Sequence, residues 1–263
     1  MTNRINANPS PSISQRVTTA IADASARTGV AFDYLMDQAR IESGMRPDAR
    51  ASTSSATGLY QFTKQTWLGT VKQHGGAHGL AWAADAISRD ADGSYSVGDA
   101  GQRSAILDLR TQPEAAAAMA AEFASDNGDY LQPRIGRAAE PVDLYLAHFL
   151  GAAGAAQFLT EHQGNPDAAA APLFPAAANT NRSIFYQDDG RARSLHEIRR
   201  NFAAKLGDAP SGRPLAPSIA RRSTRSANKD CAPLTLATMA PMPKRLDLDF
   251  ARNAYARLSG MSS

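Results

Sequence analysis

The most informative feature of this chain is a glutamate at the end of a helical pattern, followed by a polar stretch and a glycine turn. This feature restricts the folds that the chain can adopt more than any other. Glu42 is followed directly by Ser43 and Gly44, and Gly58 later opens the segment Gly-Leu-Tyr-Gln-Phe. Gly44 can adopt a positive φ and Pro47 prevents the helix from resuming, so a helix has to end here. The chain therefore leaves a helix beside an acidic side chain and returns to a tight turn.

The residues before Glu42 have the spacing of one helical face. Leu35, Ala39 and Glu42 follow one another at i, i+4 and i+7, which continues a largely apolar stripe into the last helical turn. Partial desolvation and the negative end of the helix dipole both disfavour a charged carboxylate there. The neutral form is what a general acid needs. The alternative interpretation is a surface glutamate, because most glutamates are solvated.

The segment after this helix combines a polar stretch with aromatic and amide side chains. Residues 50–57 are too polar for a core helix, so they are predicted to form a loop or frayed strand. Gly58 permits a tight turn, Tyr60 offers an aromatic face, and Gln61 offers an amide that can bond hydroxyl and N-acetyl groups. Taken singly, each residue is more often part of a core or a surface than of a binding site.

The chain resembles the soluble lytic transglycosylase family in three segments. The first two are Glu-Ser-Gly and Ala-Thr-Gly-Leu-Tyr-Gln-Phe with the following Thr-Trp, where the family usually has Glu-Ser, a spacer and Gly-Leu-Met-Gln. The third, 144–154, is similar to the family's Ala-Tyr-Asn-Ala-Gly helix through Ala147 and Gly151. The resemblance covers residues 14–160. It implies a lysozyme-like domain that cleaves the β-1,4 bond between N-acetylmuramic acid and N-acetylglucosamine in peptidoglycan.

The resemblance assigns Glu42 the role of the single catalytic acid and base. The carboxyl first protonates the glycosidic oxygen and then takes the proton of the muramyl C6 hydroxyl, which leaves a 1,6-anhydro sugar instead of a hydrolysed end. The substrate-binding residues implied by the same match are Ser43, Gly58, Tyr60, Gln61, Tyr145 and His148. His148 and Phe149 replace the usual tyrosine and asparagine, and Tyr60 replaces the usual methionine.

Two other functions stay open at this point. A muramidase of the same fold would hydrolyse the bond and would normally need a second carboxyl about 5 to 9.5 Å away. Asp33 and Asp37 lie on the Glu42 helix and do not face a cleft. Later acids leave a second carboxyl open: Asp48, Asp90, Asp92 and Asp99. A wall-binding or assembly protein with little turnover is the third possibility, favoured by Phe149 and by the missing export signal.

Length and composition predict one substantial helical core with appendages. The 263 residues are 43% hydrophobic, rich in alanine and poor in aromatic residues. The single Cys231 excludes an intrachain disulfide framework. His74 and His78 are separated by two glycines that break the helix needed to align them, so no metal and no cofactor is predicted. Residues 90–97 predict a turn with a short β-hairpin.

The expected location follows from the substrate and conflicts with the N-terminal sequence. Peptidoglycan lies outside the cytoplasmic membrane, so the function implies the periplasm or the cell wall. Residues 1–11 lack the basic-then-apolar pattern of a secretory signal, and no run of 18 or more apolar residues is present. Export by a flagellar or other specialised apparatus, a phage particle, lysis, or a different native start would each resolve this conflict.

We predict a mainly α, lysozyme-like helical domain with a small hairpin lobe and a disordered basic C-terminal extension. The boundaries are a disordered 1–12, a catalytic domain at 13–207, a basic Pro-rich linker at 208–245 and an amphipathic helix at 246–263. The linker holds seven Lys/Arg and two Asp, a local charge of +5, against +3 for the whole chain. It lacks the interleaved aromatics of a single-strand binder, so no nucleic acid is expected. The expected partners are glycan strands and, through the tail, a flagellar, pilus or secretion apparatus.

Four further helical stretches are predicted between the motifs and the tail. They cover 101–110, 113–127, 141–162 and a helix opened by Ser194 and Glu197 as a capping box and ended by Gly207. The stretch at 165–178 is rich in alanine and proline and carries no predicted helix.

Overall fold

A computed structural model describes residues 12–52 and 54–207 of the chain. Within these ranges eleven α-helices form: α1 (Ile13–Thr28), α2 (Phe32–Ser43), α3 (Lys64–His74), α4 (Ala81–Ala86), α5 (Ala100–Asp108), α6 (Pro113–Ile135), α7 (Pro141–Gly164), α8 (Ala170–Leu173), α9 (Pro175–Thr180), α10 (Arg182–Phe185) and α11 (Leu195–Lys205). Two short strands, β1 (Ile87–Arg89) and β2 (Tyr95–Val97), and two short 3₁₀ helices, Gly75–His78 and Leu109–Thr111, complete the regular structure of these ranges. The mainly α prediction is confirmed. Of the predicted disordered segment 1–12 only Ser12 is described, and it caps α1. The predictions for 1–11, 208–245 and 246–263 lie outside the described residues.

Helix α6 is the centre of the core, and alanines allow its neighbours to approach closely. Helices α1 and α7 pack against it, and α11 packs against α7. Its buried face consists largely of small side chains with Met119 among them. The predicted end at residue 127 is wrong, because Asn127, Leu131 and Ile135 are buried and extend the stripe at i, i+4 and i+8.

Helix α7 is an apolar helix enclosed by the fold. It begins with Pro141 at its first turn and is interrupted at Gly151, whose φ of 76° and ψ of 158° are not helical. By length and composition it is the one helix in the described part of the chain that is apolar enough to cross a membrane, but 72% of that stretch is buried inside the fold. This degree of burial is also that of a core helix in a globular domain.

A buried carboxylate joins α11 to the start of α7. Asp143 is fully buried, and its two oxygens accept from the guanidinium groups of Arg137 at 2.6 Å and Arg199 at 3.1 Å. Ser194 and Glu197 form the predicted capping box at the start of α11. The helix is thereby held against α7 by charge-assisted bonds as well as by packing.

The predicted hairpin is present, and its acidic residues shape the turn. Strands β1 and β2 pair antiparallel with Ile87 opposite Val97. The Asp90 carboxylate accepts from the hydroxyls of Ser94 and Ser96, at 3.2 and 2.9 Å. In and just after the Ala/Pro-rich stretch 165–178, to which the sequence assigned no element, α8 and α9 form, and α10 follows directly. Their buried alanines and aromatic residues pack on the core.

Two histidines join the end of α3 to α6. His74 Nε2 lies 2.8 Å from Asp126 Oδ2, and His74 Nδ1 lies 3.3 Å from Glu122 Oε2. His78 Nε2 lies 2.6 Å from Glu122 Oε1. The hydrogen bond to Asp126, opposed by burial and helped by the two carboxylate charges, raises the pKa of His74 above its usual value. We refer to these four residues as the histidine clasp.

The histidine clasp should stabilise the fold more in acid than in base. Because the folded pKa of His74 is raised, its contribution is complete below the unfolded pKa of about 6.5 and is lost as pH rises through the folded pKa. We therefore expect His74→Gln to lower the free energy of unfolding by on the order of 1 kcal/mol near pH 6 and by less near pH 9. Urea unfolding at both pH values measures this, with Asp126→Asn as the partner variant. An equal loss at both pH values would contradict it.

Candidate functional site

Glu42 lies in the last turn of α2 and is enclosed by the fold. The residue is 2% exposed, so the interpretation of a solvated surface glutamate is wrong. The helix ends at Gly44, which adopts a left-handed conformation with φ of 62°, as the sequence predicts. Ser43 assists this ending, because its Oγ donates to the Ala39 carbonyl oxygen and accepts from the Arg46 N–H. The hydroxyl of Ser43 is thus engaged by its own helix end.

Helix α7 brings two of the predicted residues to Glu42. His148 Nε2 lies 3.5 Å from Glu42 Oε1. The Tyr145 hydroxyl is hydrogen-bonded to the Glu42 carboxyl. Tyr34, about two turns before Glu42 on α2, and Lys205, at the end of α11, lie within electrostatic reach of the same carboxyl. Three elements far apart in the chain therefore meet at one acidic group.

The tyrosines of this cluster stay protonated. Burial, and then the charge of Glu42, raise the pKa of Tyr145 well above its usual value, and the same two causes raise the pKa of Tyr34. Tyr145 therefore keeps its hydroxyl proton at physiological pH and can donate it in a hydrogen bond to Glu42. Burial lowers the pKa of Lys205, whereas the Glu42 charge acts in the opposite direction. The carboxyl thus has neutral donors and a partly desolvated amine around it.

Gln61 shapes the turn that follows the polar segment. Its φ is 49°, a positive value uncommon for a side-chain residue. Its Nε2 donates to the carbonyl oxygens of Ala49 and Gly58, at 3.2 and 2.9 Å. Both amide protons are used within the loop, so a hydrogen bond from Gln61 to a sugar would have to involve its carbonyl oxygen. Thr57 adds isolated bridges to Arg50 and Phe62, which agrees with the predicted frayed strand.

Tyr60 is part of the core. The residue is 1% exposed, so its aromatic face is covered and not offered to a ligand. Burial raises the pKa of its hydroxyl, which has no hydrogen-bond partner among the described residues. The hydroxyl is buried like the ring, so the structure presents neither of them to a ligand. Its role in binding stays a prediction.

Arg110 supports the loop and was not identified from the sequence. Its Nη1 donates to the carbonyl oxygens of Ser55 at 2.8 Å and Phe62 at 3.1 Å, and its Nε donates to Leu107. Burial lowers its pKa to about 10, with a smaller effect from the charge of Arg50. The group is still charged at neutral pH. It therefore ties both ends of the loop to one buried cation.

Gly58 lies directly on the backbone of Arg110. Its φ is 88°, and a Cβ placed there would lie 1.8 Å from the Arg110 carbonyl oxygen. The predicted glycine turn is therefore required twice, once for its positive φ and once for this close approach.

Aromatic rings surround the site on two sides. Phe123 contacts both Phe62 and His148 edge to face at 6.3 Å between ring centroids, so a residue predicted only as core borders the site. Phe149 packs against Phe185 and, at 5.1 Å, against Phe202 of α11. Where the resembling family has asparagine, this chain has an apolar contact that holds α10 and α11.

Three of the four acids that left a second carboxyl open have local roles in the part of the chain described here. Asp37, which was set aside because it lies on the Glu42 helix, pairs with Arg40 at 2.6 Å. Asp90 and Asp92 accept bonds within the hairpin turn, and Asp99 caps α5. No group of three His, Cys, Asp or Glu side chains in the described ranges has the arrangement of a metal site.

No protein-family model matches this chain. The residue geometry therefore carries the functional argument alone.

Proposed function

We propose that the protein is a peptidoglycan lytic transglycosylase with a lysozyme-like fold and that Glu42 is its acid and base. One observation carries the proposal: a buried carboxyl at a helix end that meets Tyr145 and His148 from a second helix. A desolvated carboxyl favours its neutral form, which can donate a proton near neutral pH. In this proposal the hairpin and the Gly58 turn are the walls of the glycan-binding cleft.

The proposed reaction uses this carboxyl twice. Neutral Glu42 gives its proton to the glycosidic oxygen, and the bond from that oxygen to the muramyl C1 breaks. The resulting carboxylate takes the proton of the C6 hydroxyl as the C6 oxygen bonds to C1, which closes the 1,6-anhydro ring. Tyr145 donates a hydrogen bond to the carboxylate between the two steps. No water enters the products, so a second carboxyl is not needed.

A wall-binding or assembly protein with little turnover is the second candidate. The observation that favours it is the enclosure of Glu42, whose side chain is 1% exposed, together with the apolar Phe149 contact to α11. In this alternative the protein keeps its affinity for glycan strands and does not cleave them.

Mass spectrometry of purified wall incubated with the protein separates the candidates. Release of fragments with 1,6-anhydro ends supports the transglycosylase. Release of fragments with reducing ends identifies a muramidase, and binding without release identifies the second candidate.

The proposed site of action is the periplasm or wall, and the proposed partners of the C-terminal segment are components of a surface apparatus.

The domain boundary at residue 207 leads to a separate prediction. The bond between the buried Asp143 and Arg199 holds α11 to α7, which supports a boundary after this helix. Removing 208–263 should therefore shift the melting temperature by no more than a few degrees and leave cleavage of soluble glycan fragments within about twofold, since residues 208–245 contain few large apolar groups. Retention on intact wall should fall. A truncated protein that unfolds would show that the boundary is wrong.

A further inference from the structure

A pocket between α10 and α11 has cationic walls and an apolar floor. Its volume is about 250 Å³. Ile184, Ile198 and Phe202 form the buried floor. The polar lining consists of Ser183, Arg193, Asn201 and Lys205, and no acidic residue contributes to it. We refer to this as the α10–α11 pocket.

Arg193, which lines the α10–α11 pocket, has one buried donor without a partner among the described residues. The Nε of Arg193 is enclosed and has no hydrogen bond among the described residues. Buried donors in proteins are nearly always bonded, and leaving one unbonded costs stability. The backbone of the residue is fixed, because its N–H donates to the Phe185 carbonyl oxygen at 2.8 Å. Arg193 thus brings to the lining of the pocket a guanidinium group whose hydrogen bonds are not all made within the described chain.

The neighbouring acid does not provide this acceptor. Arg193 lies within electrostatic reach of Glu197. The carboxylate of Glu197 already accepts from the Ser194 N–H, the Gln187 amide and Arg191. A guanidinium group beside apolar side chains binds carboxylates well, because its fork of N–H donors matches the two carboxylate oxygens.

We propose that the α10–α11 pocket binds the carboxylate end of a short peptide, with Arg193 bonding the carboxylate and the apolar floor taking a small aliphatic side chain. The volume is below the usual range for a drug-sized ligand, about 300 to 1,000 Å³, so it suits one or two small residues. The pocket adjoins the candidate site, because the Phe202 ring lies 5.3 Å from the Tyr145 ring.

The peptide assignment rests on the proposed function. Peptidoglycan strands carry short peptides with free carboxylates on their muramyl residues, so a strand in the site would bring such a group near α11. The proposed role of the α10–α11 pocket is to select strands that carry peptides. Carboxylate binding itself does not depend on whether the protein cleaves glycan.

The first test is binding of a small probe to the full chain. N-acetyl-alanyl-alanine, in its D,D and L,L forms, is titrated by calorimetry and by NMR, and the same peptides with an amidated C-terminus serve as the ligand control. We expect the free acid to bind and to lose about tenfold or more in affinity on amidation or in Arg193→Gln, which removes a charge-assisted bond. Arg200→Gln, the same change at an exposed position of α11, should bind like wild type.

The outcomes separate this proposal from the proposed function. No binding of the free acid to wild type, equal binding of the amidated peptide, or unchanged affinity in Arg193→Gln would each overturn it. Rates on glycan strands with and without peptides provide the second arm, in which Arg193→Gln should raise KM for peptide-bearing strands alone. A protein that binds the probe and cleaves no strand would reject the proposed function and keep the carboxylate site.

Discussion

Glu42→Gln is expected to lose wall cleavage by about 10²–10⁴-fold or more while it keeps its fold. Glutamine has nearly the same shape, and its oxygen can still accept the hydrogen bond from Tyr145. It cannot give or take a proton in either step. The initial rate of release of soluble fragments from purified wall measures the loss, and co-sedimentation with wall measures retained binding.

Glu114→Gln is the matched control. Glu114 is more than half exposed and pairs with Arg16 at 3.0 Å on the surface, far along the chain from the site. The Glu114→Gln protein should cleave wall at the wild-type rate. A Glu42→Gln protein that cleaves nearly as fast as wild type would reject the assignment of Glu42, whatever products appear.

Among Gly→Ala substitutions in the described part of the chain, Gly58→Ala is expected to be the most destabilising. The new Cβ would lie 1.8 Å from the Arg110 carbonyl oxygen, so either the Gly58 turn or the backbone of Arg110 must move. Overpacking costs about 1–3 kcal/mol, and the strained positive φ adds about 1–3 kcal/mol more. We expect a loss of about 3 kcal/mol or more, measured by urea unfolding.

Gly29→Ala isolates the conformational part of this loss. Gly29 has a φ of 80°, close to that of Gly58, but a Cβ there meets no atom within 4 Å. It should lose only about 1 kcal/mol. Equal losses in the two variants would show that the contact with Arg110 is relieved at little cost and that Gly58 is needed for its φ alone.

Local signals explain what the sequence predicted well. The end of α2 follows from Gly44 and Pro47 within a few residues of Glu42, and the start of α11 follows from one capping box. The hairpin follows from turn residues between short strands. Each of these elements is decided by neighbours along the chain, so a reader of the sequence has the necessary information.

Long-range contacts explain what the sequence did not reveal. Arg110 bonds carbonyl oxygens 48 and 55 positions away, and no local pattern marks an arginine for that role. The extension of α6 beyond residue 127 depends on a surface that α7 provides. From the sequence, Phe149 suggests only the loss of a polar contact. The structure shows that its ring packs against Phe185 and Phe202.

The candidate site was predicted only in part, because some of its residues belong to sequence motifs and others join it through long-range packing. The motifs identified Glu42, and the resemblance added Tyr145 and His148, which the fold does bring to it. Tyr34 and Lys205 join the cluster through packing of α2 and α11 and carry no motif of their own. Tyr60 has the right place in the chain, but its ring is covered.

The ion pair between Asp143 and Arg199 bears on the order in which the molecule folds. Glu42 is made early in synthesis, whereas α11 is the last described helix to leave the ribosome. Asp143 cannot gain its partner on α11, nor Tyr145 its contact with Phe202, until about residue 205 has emerged. The proposed location requires export, and a chain exported unfolded would carry an incomplete site during export. The site would be completed only after nearly the whole helical domain had passed through the membrane.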